Sequence, residues 1–246
     1  MENVIEIKHL KKSFGKTDVL KDINLTVQKG ENLVVLGQSG TGKSVLIKCL
    51  VGLIPADEGE LIVLEKKISE LNNKELNEVR RKIGFLFQSA ALYDSMTVKE
   101  NLEFPLRDLK KLKQEDVDLK VIEILKNVGL EDAVSKMPSE LSGGMRKRIG
   151  LARTLIINPE IILYDEPTTG LDPITSKEIS QLILEMQKKY NTSSIIITHD
   201  IECARITANR IIILNNGICY AEGTFDELEK STDEFVRAFF IITKKN

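Results

Sequence analysis

The stretch Asn32-Leu33-Val34-Val35-Leu36-Gly37-Gln38-Ser39-Gly40-Thr41-Gly42-Lys43-Ser44 decides the fold of this 246-residue chain. Asn32 to Leu36 reads as a strand buried on both faces of a parallel sheet. Gly37 to Ser44 then fits the pattern G-x-x-x-x-G-K-[ST]. Its glycines let the backbone curl until several N–H groups point at phosphate oxygens. The next residues, Val45, Leu46, Ile47 and Leu50, have helical spacing, and a helix start adds the positive end of its dipole. In this pattern Lys43 reaches the β- and γ-phosphates of a nucleotide, and the Ser44 hydroxyl ligates Mg²⁺. A glycine-rich turn with a surface lysine is the alternative. The apolar strand before it and the apolar helix after it weigh against that.

The elements around this loop divide the chain into three parts. Val4 to Ile7, Val19 to Val27, Leu61 to Leu64 and Ile83 to Phe87 read as strands, and a helix is expected near Lys43 to Gly52. Strand signals thin out from Ala90 to Leu141. There Val117, Val121, Ile124, Leu125 and Val128 recur at helical spacing, with Gly129 placed to end the helix. Ser89 to Leu141 is therefore expected to be a helical lobe inserted into a sheet domain. After it, Ile161 to Asp165 and Ile195 to Thr198 return as buried strands. Asp172-Pro173 starts a helix, Asn215-Asn216-Gly217 turns a hairpin, and Thr224 with Glu227 caps a C-terminal helix.

Ile161 to Tyr164 ends in two carboxylates, Asp165 and Glu166. Ligands of open α/β sheets sit outside the carboxyl ends of the strands. Asp165 would face the Mg²⁺, and Glu166, one step further out, would polarise an attacking water. Together with the phosphate loop this pair makes the chain a P-loop NTPase.

Leu141-Ser142-Gly143-Gly144-Met145, followed by the basic run Arg146-Lys147-Arg148, precedes the acidic strand by about one helix. Here the chain resembles the nucleotide-binding subunits of ATP-binding cassette (ABC) transporters, whose signature is LSGGQ. The resemblance covers nearly the whole chain, with the motifs in the expected order. It implies an α/β fold with a RecA-like P-loop core, an N-terminal antiparallel β subdomain, and the inserted helical subdomain at 89–141. The core and β subdomain would be 1–88 and 142–246.

It further implies that ATP is bound by Phe14, stacking on adenine, and by Gly37, Gln38, Ser39, Gly40, Thr41, Gly42, Lys43, Ser44 and Val45. A core phenylalanine is the alternative for Phe14. Mg²⁺ would be held by Ser44, Gln88 and Asp165, and catalysis carried by Glu166, His199, Lys43 and Gln88. Ser142, Gly143, Gly144 and Met145 would act on the ATP of a second copy across a homodimer around two ATP, with Asp172 in the loop at the seam. Met145 departs from the usual Gln. With the basic run after it, with Phe87 to Thr97 and with Leu171 to Ser176, it is similar to the ATPases of MCE (Mla-type) phospholipid transporters. An importer for amino acids or other small polar solutes is the alternative. A solvated helix face is the alternative reading of the basic run. The exposed-looking apolar run Ala90 to Tyr93 suggests a docking site for a permease, with packing inside the lobe as its alternative.

Composition agrees with this. Lys+Arg is 35 and Asp+Glu 37, a net charge of −2 that does not suit a non-specific nucleic-acid binder. No apolar run approaches the roughly 18 residues of a membrane span, so a separate permease is expected to hold the chain at the inner face of the cell membrane, in the cytoplasm. An MCE-domain protein is the further expected partner. The three cysteines, Cys49, Cys203 and Cys219, fit neither a disulfide framework nor a zinc site.

Overall fold

The computed structural model describes residues 2–38, 40–107 and 112–241. In chain order these form β1 (Asn3–Phe14), β2 (Thr17–Gln28), β3 (Asn32–Leu36), α1 (Lys43–Leu50), β4 (Glu58–Val63), β5 (Lys66–Lys67), α2 (Asn73–Arg80) and β6 (Ile83–Leu86). Then come α3 (Val98–Glu103), α4 (Gln114–Asn127), α5 (Gly143–Leu155), β7 (Ile161–Asp165), α6 (Pro173–Tyr190), β8 (Ser193–Thr198) and α7 (Ile201–Thr207). The chain closes with β9 (Arg210–Asn215), β10 (Ile218–Gly223), α8 (Phe225–Glu229) and α9 (Glu234–Ile241).

The described strands make one sheet in the order β5-β4-β1-β2-β10-β9-β3-β8-β7-β6. One end, β5-β4-β1-β2, is antiparallel, and β9-β3-β8-β7-β6 is parallel. The β9–β10 hairpin joins the halves. Asn216 (φ 48°) and Gly217 (φ 77°) make the left-handed two-residue turn that matches strand twist. The Gly217 carbonyl accepts from the Lys21 and Asp22 N–H groups, stitching the turn onto β2.

Side chains on a strand alternate between faces, and in the parallel strands both faces are buried. Val34, Leu36, Ile162, Tyr164, Ile196, Ile211 and Ile213 pack into one apolar cluster. Leu33, Val35, Ile161, Leu163, Ile195, Ile197, Ile212 and Leu214 pack into the other, with α1 and the antiparallel strands. Val98, Leu102, Val121, Ile124 and Leu125, from the segment read as a separate lobe, share the first cluster with Ile149 and Ile162. The helical segment thus rests on the same core as the parallel sheet. Its described residues hold α3, α4 and short 3₁₀ turns.

Several local expectations hold. The Asp172 carboxylate accepts from the N–H groups of Ile174 and Thr175, with Pro173 as the first helical residue. Thr224 and Glu227 form a capping box, and Gly129 (φ 66°) follows the end of α4. Others need correction. Val4 to Ile7 is part of a twelve-residue strand, whose polar second half is paired on both sides through register shifts around His9 (φ 50°). Asn32 is polar and fully buried; its side chain donates to the Thr207 carbonyl and accepts from Ser194 Oγ. The sequence reading also passed over α2, although Asn72 and Glu75 form a capping box there. Ala90 is fully buried rather than displayed, whereas Tyr93 is exposed and packs on Phe104 at 4.7 Å.

α5 comes close to the sheet at Gly84. A Cβ at Gly84 of β6 would collide with the Thr154 Cγ2 methyl of α5 and stand 3.2 Å from Pro159 Cγ. Gly84→Ala should cost about 1–3 kcal/mol as overpacking and lower the melting temperature by several degrees. Thr154→Ser removes that methyl but keeps the hydroxyl that donates to the Gly150 carbonyl. Calorimetry should therefore show Thr154→Ser recovering part of the loss in the double variant. No recovery would mean that Gly84 is needed for another reason.

Candidate functional site

Register places the site. Leu36 pairs with Thr198, Asp165 with Ile197 and Leu86 with Tyr164, so the parallel strands end along one edge. The loop after each opens into the same cleft. A cavity of about 610 Å³ there is lined by Gln38, Gly40, Gly42, Lys43, Ser44, Val45, Gln88, Asp165, Glu166 and His199. Motifs 33 (Glu166 to His199) to 161 (Gln38 to His199) residues apart in sequence thus face one space.

The phosphate loop needs its glycines. Gly40 and Gly42 have φ of 82° and 97°. A Cβ at Gly42 would also meet Leu20 Cδ2 at 2.8 Å. Lys43 is buried, and its Nζ donates to the carbonyl oxygens of Gly37 (2.7 Å) and Gln38 (2.9 Å). Burial pulls its ammonium below the ordinary lysine value, and the Glu166 and Asp165 carboxylates oppose that pull. Burial first, then the neighbouring Glu166 charge, push Asp165 up, against Lys43, Lys48 and Lys147. A cation at this edge would relieve both effects on Asp165.

Glu166 leaves its strand in the left-handed region (φ 50°), and its N–H donates to the Ile197 carbonyl at 2.8 Å. Its Oε2 lies 2.8 Å from His199 Nδ1 and accepts from Thr169 Oγ1 at 3.2 Å. Asp200, next to His199, caps α7 and accepts from Thr168 Oγ1, tying the ends of β7 and β8 together.

The rest of the predicted set lies elsewhere. Phe14 is exposed at the end of β1, with Lys12 Nζ 5.5 Å from its ring, so it is not a core side chain. Gly37 and Thr41 are not among the residues that line the cavity; the Thr41 hydroxyl donates to the Gln38 carbonyl. Ser39 lies outside the described residues. Ser142, Gly143, Gly144, Met145 and Asp172 do not line the cavity. Ser142 caps α5 by accepting from the Met145 N–H. A Cβ at Gly144 would stand 2.6 Å from Thr175 Cγ2, so this glycine lets α5 pack against the start of α6. Met145 is half-buried against the core.

The basic run is only partly solvated: Arg146 is exposed, Arg148 half-buried and Lys147 buried. Arg146 Nε donates to the Pro138 carbonyl, and Arg148 reaches the Val128 carbonyl and Glu178. Lys147 is buried, and burial pulls it down to about 8. The sequence reading missed Thr169, Val19 and Ile197 in the lining. Thr169 was within reach, three residues after Glu166. Val19 comes from the antiparallel half and carries no local signal.

A buried lysine in a glycine loop, facing a carboxylate pair at the edge of a parallel sheet, defines a phosphate-loop nucleotide-binding protein. The family model described as "ABC transporter" matches residues 20–169, and the chain is an ATPase cassette of that family. It is 42% identical over 96% of its length to the probable ribonucleotide transport ATP-binding protein mkl of Mycobacterium tuberculosis, and spans 66% of that relative. It is 40% identical to the methionine import ATP-binding protein MetN of Clostridium tetani, over 92% of this chain and 70% of the relative. It is 38% identical to the intermembrane phospholipid transport system ATP-binding protein MlaF of Haemophilus influenzae, over 94% and 88%. Among solved structures it resembles the ATP-binding cassette MJ0796, a dimer in a post-hydrolysis state bound to ADP and Pi. That likeness has a TM-score of 0.81 and 34% identity, and covers 90% of this chain and 98% of that one.

Lys43→Ala removes the one cavity-lining ammonium among the described residues. It should weaken ATP binding by at least about tenfold, as expected for a charge-assisted contact, with the circular dichroism spectrum unchanged. Titration with a fluorescent ATP analogue checks this, and unchanged affinity would remove Lys43 from the site.

Proposed function

We propose that this chain binds ATP with Mg²⁺ and hydrolyses it to energise a separate membrane permease. The observation that carries the reading is the shared cavity of the phosphate loop, Gln88, Asp165, Glu166 and His199. Its size and donor set suit a nucleotide triphosphate. Only one side chain of the expected metal set, Asp165, is a carboxylate. Mg²⁺ characteristically takes one or two carboxylates with substrate phosphates and water, so Ser44, Gln88 and Asp165 fit it. When bound, the ion neutralises charge on the phosphate oxygens.

The chain's own residues do the remaining work. Lys43 and the loop N–H groups bind the phosphates and stabilise charge that grows on them. Glu166 takes the proton of the attacking water, and His199, held 2.8 Å from its carboxylate, fixes the direction of that oxygen. Phe14 offers an exposed ring to the base. Ser142, Gly143 and Gly144 lie away from their own chain's cavity, and this supports a site completed by a second copy. The two-fold partner would present them, with Asp172 near the seam, to the nucleotide held here. The dimeric relative with ADP and Pi supports the same arrangement.

For the cargo, the reading is a phospholipid system of the MCE type. The Met145 signature, the basic run after it and the likeness to MlaF support it. The permease and an MCE-domain protein are then the partners, and the chain works at the cytoplasmic face of the membrane. No helix among the described residues is long and apolar enough to cross a membrane. Likeness to MetN favours the second reading, an importer of amino acids or similar polar solutes. The helical segment 89–141 is read as the docking lobe, with Tyr93 as its exposed contact.

Glu166→Gln keeps the shape of the side chain and removes the base. With ATP and Mg²⁺ it should accumulate as a dimer in size-exclusion chromatography, with turnover down roughly 10²-fold or more. A variant that binds ATP yet stays monomeric would contradict the two-copy site.

Purification from native membranes tests the cargo reading. Wild type should bring down a lipid-handling permease with an MCE-domain protein, and Tyr93→Asp should reduce that recovery with ATP affinity unchanged. Recovery of an amino-acid permease with a solute-binding protein would replace the lipid reading and leave the ATPase reading standing.

A further inference from the structure

Lys147 sits in α5 five residues after Ser142, yet its side chain runs inward and is 5% exposed. Its Nζ donates to two carbonyl oxygens, Gln88 at 2.6 Å and Glu166 at 3.1 Å. Both acceptors belong to cavity-lining residues, and they leave adjacent parallel strands, β6 and β7. The Glu166 backbone is in the left-handed region, which a side chain-bearing residue adopts only when its surroundings impose it. Three bonds hold it here: the Glu166 N–H donates to Ile197, and the Glu166 carbonyl accepts from both the Thr169 N–H and Lys147.

The Gln88 loop is held by the same helix. Ala90 (φ 61°) and Ala91 (φ 47°) are also left-handed, and their carbonyls accept from Arg153 of α5. Burying an ammonium is costly unless its donors are used, so a buried lysine bridging two functional loops is a specific arrangement. An apolar side chain of similar length would fill the space without fixing either carbonyl.

We propose that Lys147 is a positioning residue for hydrolysis: its ammonium, held between the Gln88 and Glu166 carbonyls, locks the base and the Gln88 loop to the helix that begins at Ser142. The inference rests on the reading of Glu166 as base. It adds that the end of α5 facing the second copy and the base are one mechanical unit. A shift of α5 moves Lys147, and with it the backbone from which the Glu166 carboxylate projects. Lys147 is not among the residues that line the cavity; it acts through the two carbonyls.

The test uses the full chain with ATP and Mg²⁺, comparing wild type, Lys147→Met, Lys147→Gln and Glu166→Gln. Rates are taken at saturating ATP per ATP-binding site, with ATP affinity measured separately. Both Lys147 variants should lose roughly tenfold or more in kcat, with ATP affinity within about twofold of wild type. Lys147→Gln replaces the ammonium with a shorter, uncharged amide that still donates N–H bonds, so it serves if Lys147→Met does not fold. A purely structural role would lower the number of binding-competent molecules and leave the rate per site unchanged, and that result overturns the proposal. So does a raised KM with unchanged kcat. If Glu166→Gln is slow while both Lys147 variants run at the wild-type rate, the positioning role falls and the base stands. If Glu166→Gln itself runs at the wild-type rate, the base assignment falls and takes the positioning role with it.

Discussion

The rest of the structure depends on the parallel pairing of β9, β3, β8, β7 and β6 in a register that ends them together. Each strand places one face in each of two apolar clusters. A one-residue slip would exchange the faces of a whole strand, so the register is fixed by burial on both sides. Because it is fixed, the loops after β3, β6, β7 and β8 must meet at one edge. The cleft is a consequence of core packing before any ligand is considered.

Around that edge the backbone is held away from its preferred conformations. Gly40 and Gly42 take up positive φ at no steric cost, whereas Glu166, Ala90 and Ala91 do so with a Cβ. Cations facing carbonyls hold the loops of both groups. Lys43 binds the Gly37 and Gln38 carbonyls, Lys147 those of Gln88 and Glu166, and Arg153 those of Ala90 and Ala91. A buried cation facing carbonyl dipoles is well placed to hold such turns, since each N–H it spends also removes an unpaired acceptor.

The antiparallel half contributes less obviously. It supplies Val19 to the cavity wall and Leu20 behind Gly42, so the phosphate loop is pressed between the parallel core and β2, a strand of the antiparallel half. The helical segment joins the opposite cluster through Val98, Leu102, Val121 and Leu125. Its position relative to the cleft is set through α5, which touches both.

The sequence alone determined the buried strands, the phosphate loop, the acidic strand end, the caps at Asp172 and Thr224, and the family resemblance. Each is a local pattern, set by side-chain period, glycine freedom or capping chemistry within a few residues. The tertiary structure decided what those patterns do together. It showed that Asn32 is buried with its bonds satisfied, that Ala90 packs inward, and that Gly144 makes room for Thr175. It also gave Arg146, Lys147 and Arg148 carbonyl partners, and Arg148 Glu178 as well, with Lys147 buried and Arg146 still exposed. A charged helix residue reads the same in sequence whether it meets water or a carbonyl. For Lys147 only the packing of α5 beside β6 and β7 decides which, because its partners, Gln88 and Glu166, follow strands and lie 59 and 19 residues away.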